Sequence, residues 1–522
     1  MPLVRVKDAG AIGLNRDLSV HELPLGAWTD VQNIRFLDGY AHQFYGHGEV
    51  YNSPSVIPYH LLPCVIGTAR YWIYASLEKI YAVTITAGAA VHTNLTRQTA
   101  GVDVDYSATE NSWTSTLLGG IPILNPGNET DPPQQWDLNT ANNFQALSAW
   151  PASTYCKSMR SYKNFLIALN ITDTGVNYPF MVKWSSPTVP GAVPSSWDET
   201  DPTTDAGQFD LAQGYDPIVD GLALRDSFII YKEASVWRLD YIGGQNVFQS
   251  QQVLGMSGAL NRNCIVEFDG YHLVFTGSDV VFHDGQSPTS ILDKYTRRWL
   301  FQNIDVDAVD HCFVFKNPFY NEVFICFPSI GATACDMAIV YNYVDRTVSQ
   351  RELPSVFHAA FGPIDSGLTG NWAQDPDPWD SDLTVWDGPD KVPSTARVLM
   401  GASASKLYMI DSAASFDGTM PDAYMERKGL SFDFPEKIKL VRGIRPRIVG
   451  NPGNTITIKI GYQDDPYDDP TWVSTMTHTI GTTIENQCFV SGRYIAVRFQ
   501  SDTAYNWRVD SYELDVQVAG EW

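Results

Sequence analysis

The sequence predicts a mainly β protein: an irregular β-propeller-like domain with long insertions, followed by a C-terminal β-sandwich. Three observations carry this. Sustained helical periodicity is scarce over 522 residues, while aromatics reach 12% and 39 Gly and 31 Pro supply turns. Apolar runs recur in pairs joined by short polar turns. Near the C-terminus the pattern changes to strict alternation of apolar and polar residues. The expected division is an N-terminal arm with the first strands (1–60), the propeller-like domain with inserted loops (61–429) and the sandwich (430–522).

Six hairpins are legible after the arm. Ile73-Tyr74 turns into Ile80-Tyr81, and Asn164–Leu169 into Phe180–Trp184. Ile230-Tyr231 turns into Val236-Trp237, and Val274-Phe275 into Val281-Phe282. Glu322–Phe327 pairs with Met337–Tyr343, and Leu399-Met400 with Leu407-Tyr408. Runs such as Phe228-Ile-Ile-Tyr231 are apolar at consecutive positions, as in a strand covered on both faces. Such hairpins, recurring about every 45–90 residues, point to radial repetition; a stack of sandwiches is the competing architecture. The Trp-Asp dipeptides at Trp136, Trp197, Trp379 and Trp386 lack an upstream Gly-His, which argues against WD40 repeats. Asn125–Thr140, Ser185–Gly214 and Pro363–Pro393 read as long loops that cover sheet edges or reach neighbours.

In the last segment Ile456, Ile458 and Ile460 alternate with polar residues, as do Tyr512, Leu514, Val516 and Val518. Ile495, Val497 and Phe499 share one face, opposite Tyr494, Ala496 and Arg498. A period of two places one face in a core and the other in water.

Charge and cysteine usage exclude several functions. Lys+Arg is 35 against Asp+Glu 59, a formal net charge of -24. Nucleic-acid affinity rests on Lys and Arg neutralising phosphates, so tight binding of DNA over a broad surface is not expected. No apolar run approaches the roughly 18 residues of a membrane helix, and no secretory signal is visible. Synthesis in a cytosol is expected, with the sequons at Asn94, Asn128 and Asn170 as chance matches. The seven cysteines form no C-x-x-C pair, which argues against zinc and a disulfide framework. Cys264, Cys312 and Cys326 sit in apolar runs and read as buried thiols.

No residue set satisfies the requirements of catalysis. Gly255-Met-Ser257-Gly-Ala259 lacks the last glycine of a nucleophile elbow, and no helix pattern follows it. His42 and His47 flank a turn-like stretch, and His272 and His283 face each other across one hairpin without a third ligand. Asp464, Asp465, Asp468 and Asp469 crowd one loop; Asp375, Asp377, Asp380, Asp382 and Asp387 crowd another. Neither has the spacing of a calcium loop. The nearest approach to a sialidase repeat, at Asp345, lacks its Gly and Trp. No catalytic, cofactor-binding or metal residue is therefore assigned, no cofactor is expected, and the chain does not read as an enzyme.

One longer pattern remains. Leu23-Pro-Leu-Gly-Ala-Trp-Thr-Asp-Val-Gln-Asn33-Ile-Arg-Phe-Leu-Asp38-Gly39 is followed by Gly46 and Gly48. Tyr231–Trp237, Tyr241–Gly244, His283–Gln286, Asn317-Pro318 with Glu322-Val323, and Val340–Tyr343 follow in order. Gly492–Arg498, Trp507 and Gly520-Glu-Trp522 end the chain. In these motifs the sequence resembles the tail nozzle, or tail hub, proteins of short-tailed bacteriophages (tail tubular protein B-like). The resemblance implies a structural virion protein with a β-propeller in each subunit of a homo-oligomeric ring, a hexamer. Such a ring closes the distal end of the short tail, docks on the tail adaptor protein and carries tail fibres or spikes. Genomic DNA leaves through its lumen without tight binding, and assembly takes place in the host cytoplasm. In such a ring the basic stretches Arg297-Arg298-Trp299 and Arg442–Arg447 would pair with acidic neighbours; ordinary exposed strand charges are the other reading. A receptor-binding tail adhesin and a β-propeller glycan hydrolase are the alternatives.

Overall fold

In the computed structural model, residues 3–17, 19–67, 69–244, 246–255, 257–364, 396–420, 422–503 and 506–521 are described. Residues 365–395, with the Trp379 and Trp386 dipeptides and the acidic cluster from Asp375 to Asp387, lie outside them.

Short strands hydrogen-bonded to their sequence neighbours build four-stranded antiparallel sheets one after another. Blade one starts at His60–Ile66, blade two at Thr114–Leu118, blade three at Thr154–Tyr162, blade four at Ile218–Leu224 and blade five at Ile265–Phe268. A seven-stranded sheet supplies two more, because its central strand, Thr347–Pro363, serves twice. Up to Glu352 it is the outer strand of blade six, which starts at Phe313–Asn317; from Val356 it is the inner strand of blade seven. Between the two uses lie Pro354, which has no N–H to donate, and Ser355, which is left-handed at φ 51°. The last place in blade seven goes to Gly46–Glu49, a strand from the other end of the chain, paired with Lys406–Ala413. The innermost strands neighbour one another in a closed ring from blade one to blade seven and back. The described residues thus form a seven-bladed propeller.

All six hairpins expected from the sequence are present, with Tyr74 opposite Tyr81 and His272 opposite His283. Their doubly apolar runs have a physical cause. Each blade is covered on both faces, and an apolar layer separates every successive pair. Leu169, Phe228 and Trp237 fill the layer between blades three and four; Leu273, Phe275 and Ile325 fill that between five and six. Each buried side chain of this size contributes roughly 1.5–3 kcal/mol.

The second unit is a sandwich. One sheet contains Asn486–Gly492, Lys437–Gly450, Trp507–Glu521, Tyr40–Gln43, Ile34–Leu37 and Leu3–Val6. The other contains Thr471–Thr479, Thr455–Gln463, Tyr494–Ser501, Ala423–Leu430 and Asp30–Gln32. Trp28, Ile34, Ile458, Phe499, Tyr512 and Leu514 lie in its core.

The sheets do not follow the division expected at 60/61 and 429/430. Leu3–Val6, Asp30–Gln32, Ile34–Leu37 and Tyr40–Gln43 join the two layers of the sandwich, Gly13–Leu14 pairs with Ala27–Trp28, and Gly46–Glu49 completes the propeller. Ala423–Leu430 also belongs to the sandwich, because its backbone pairs with Tyr494–Ser501. The outer face of that strand differs as well. Tyr494 and Ala496 are buried, since the N-terminal segment lies over them: the His21 ring packs on Tyr494, and Arg427 donates to the carbonyls of Val20 and Leu23. Arg297, Arg298 and Trp299 fall on the helix Lys294–Asn303, capped by the Asp293 carboxylate, and not on a strand.

Candidate functional site

The propeller axis collects one residue from each blade: His60, Ser115, Arg160, Asp220, Asn263, Val314 and His358. Together with apolar neighbours they line a cavity of about 210 Å³. Six of the seven are polar; all but Asn263, which sits at φ 62° in a turn just before its blade's first strand, lie on the inner strands themselves.

At its centre is an ion pair. Arg160 donates from Nε at 3.0 Å and from Nη2 at 2.6 Å to the two oxygens of Asp220. Ser158 Oγ and the main-chain N–H of Gly221 also donate to that carboxylate. Burial alone would push Asp220 up; Arg160 and these donors hold it below the usual carboxylate range. Arg160 reaches further, to the Ser115 carbonyl at 3.0 Å and Asn263 Oδ1 at 3.1 Å. Beside the pair, the rings of His60 and His358 lie 4.1 Å apart. His60 Nε2 is 2.7 Å from Ser115 Oγ, and His358 Nδ1 accepts from the Leu61 N–H at 3.3 Å. Burial pushes both histidines down, and the Arg160 charge adds to it; His358 falls to about 3.

Ser115 and His60 have the spacing of a nucleophile and its base. The base is weak, because its surroundings disfavour the imidazolium, and the one axial carboxylate, Asp220, is engaged by Arg160 and Ser158. Glycoside hydrolysis calls for two carboxylates about 5–9.5 Å apart; among the described residues on the axis there is one.

A second polar centre lies between the two units. Arg35, from the sandwich strand Ile34–Leu37, donates to Glu322 of blade six at 2.6 and 3.0 Å and to Asp411 of blade seven at 2.7 Å. Arg351 and Asn317 close on Asp411 at 2.8 and 3.2 Å. The Arg35 guanidinium lies 3.6 Å from the centre of the Tyr320 ring. Two guanidinium and two carboxylate groups meet here, all four side chains at most 4% exposed; burial pushes Glu322 up to about 7 although Arg35 opposes it. Close by, Asn33, left-handed at φ 53°, donates to Glu352 and to the Asp422 carbonyl.

The residues weighed from sequence fall as follows. Ser257 is buried, its N–H on the Ala234 carbonyl. His42 and His47 lie on strands of different sheets, on either side of Phe44-Tyr45, and His47 packs against Tyr408 and Phe416. His272 and His283 are brought together, each 2.7 Å from the hydroxyl of Tyr231. The loop from Asp464 to Asp469 is a hydrogen-bonded turn, and no group of three metal-binding side chains occurs among the described residues. Arg297 pairs with Asp279, Arg442 with Asp515 and Arg445 with Glu485 inside the chain. No described helix is long and apolar enough to cross a membrane. Neither polar centre was singled out from sequence. A usable signal existed: a charged residue inside an apolar run, as in Ile218-Val-Asp220, Ile34-Arg35-Phe36 and Glu322-Val-Phe-Ile.

No protein-family model matches the chain, and no curated protein matches its sequence. Solved structures resemble the chain only at a distance. A fungal alcohol oxidase of the AA5 family in complex with copper is 8% identical, covering 90% of this chain and 93% of its own at a TM-score of 0.41. PorZ, a surface component of the type-IX secretion system of Porphyromonas gingivalis, is 9% identical over 83% of this chain and 55% of its own, TM-score 0.40. The Neurospora crassa Pan2 WD40 domain is 7% identical over 71% and 94%, TM-score 0.36. Likenesses this distant carry nothing about activity.

Proposed function

We propose that the chain is a structural virion protein, the subunit of the nozzle or hub ring of a short phage tail. The observation that carries this is where the matched motifs lie. The segments around Asn33–Arg35, Gly46 and Asn317–Glu322 are far apart in sequence, yet they meet at the junction of propeller and sandwich. Tyr231 and His283, from two further motifs, meet in another buried cluster. Motifs of this kind hold an architecture together, so a shared architecture is what their succession tracks.

Charge supports the same reading. The Ser185–Gly214 stretch folds back on blade three and carries Asp198, Glu199, Asp201, Asp205 and Asp210 with no Lys or Arg. A conduit wall that formed phosphate contacts would hold the genome back, and an acidic one would not. The axis of each propeller narrows to the small polar cavity, so the DNA path runs between subunits. Adaptor and fibre contacts belong to the same proposal.

The test is electron microscopy of the protein mixed with a candidate adaptor complex. The expected result is a sixfold ring with an open axial hole, seated on the adaptor. A persistent monomer or a trimer that does not dock would overturn the proposal and turn attention to the adhesin.

A further inference from the structure

We propose that the axial cavity of the propeller is a binding site for one small monocarboxylate, with its carboxylate toward the histidine pair and its tail against the apolar part of the lining. Three observations converge on this ligand. The first is charge. Asp220 neutralises Arg160, but Arg262, beside Asn263, donates only to the main-chain carbonyls of Ser112, Gly127 and Lys157. No carboxylate pairs with it among the described residues. Two guanidinium groups thus stand by the one lining carboxylate, Asp220, with Arg262 behind the lining and also within the field of Asp310.

The second is unspent donors. Four contacts occupy Arg160 at Asp220, Ser115 and Asn263, which leaves one N–H on Nη1. His358 accepts at Nδ1, so its ring proton sits on Nε2, and no group among the described residues receives it. A carboxylate takes both donors, and the positive field that disfavours imidazolium there favours an anion.

The third is shape. The rest of the lining includes an apolar set from five blades, Leu62, Leu222, Ile265, Val314 and Ala360, three of them two positions after His60, Asp220 and His358 on the same strands. An apolar cavity of about 150 Å³ accepts benzene; here about 210 Å³ is available. A six-membered ring or a short alkyl chain bearing one carboxylate fills it.

The site lies within one subunit, so it stands apart from ring formation. The test uses the full chain with benzoate, its uncharged analogue benzamide, and chloride at matched ionic strength. Thermal unfolding and calorimetry should show saturable binding of benzoate at one site per chain, with little response to benzamide or chloride. Ala360→Leu fills the apolar part of the lining without touching a hydrogen bond and should weaken benzoate at least about tenfold. His358→Asn keeps an acceptor for the Leu61 N–H, removes the Nε2 donor, and should cost about tenfold. No benzoate binding, an equal response to benzamide or chloride, or unchanged affinity in the folded Ala360→Leu variant would each overturn the proposal.

Discussion

Glu322 shows how burial changes what a charge pair is worth. Removing it leaves Arg35 buried with Asp411 alone, which Arg351 already shares. Glu322→Ala should destabilise the protein by about 3–5 kcal/mol. The exposed pair Arg5–Glu513, at 45% and 31% side-chain exposure, offers the contrast: Glu513→Ala should cost under about 1 kcal/mol. Urea denaturation of the two variants decides it; equal losses would mean that the inter-domain cluster is not a lock. At this scale sequence gave residue identities but not partners. Arg35 stands 287 and 376 positions from Glu322 and Asp411, and nothing local to any of the three names the other two.

At the scale of the element, the decisive piece is the strand Gly46–Glu49, which closes blade seven. It fits because it can come close: a side chain at Gly46 would place its first carbon 1.9 Å from the Ser415 carbonyl oxygen. At Gly48 the nearest atom would be the Ser412 hydroxyl at 3.3 Å. Gly46→Ala should therefore cost roughly 1–3 kcal/mol or more, since backbone must move, and Gly48→Ala distinctly less. Chemical denaturation of both variants measures this, and equal stability would show that the closure strand is loosely held. The hairpins were legible because their registers are local and their turns are short. The closure strand was not, since Gly-His-Gly-Glu has no apolar pattern and its partner is more than 350 residues away.

At the scale of the whole molecule, buried neutral histidines set the response to acid. Burial pushes His272 and His283 down to about 4 and His47 and His358 to about 3, and it takes His60 well below its ordinary value. The unfolded chain takes up protons near pH 6.5, the folded chain only at these lower values. Stability is thus complete above about pH 6.5 and falls as the pH drops, by about 1.4 kcal/mol per pH unit for each histidine. Asp220 and Asp411, held below the usual carboxylate range despite burial by their guanidinium partners, add a loss in the same direction below about pH 4. The melting temperature should drop steeply between pH 6.5 and 4.5; a flat profile would show that the histidines protonate without unfolding.

By itself the sequence determined that the chain is built of hairpins, that they are covered on both faces, and that its end is a sandwich with one face in a core. These properties follow from periodicities of two and from turn chemistry, which act over a few residues. Only the tertiary structure decided the number of blades, the use of one strand in two of them, the return of strands within residues 3–49 to complete both units, and the polar ring on the axis. Each of these depends on where distant strands meet. That is fixed by packing of the whole ring, because a side chain's place toward the axis or toward the next blade exists only once the ring has closed.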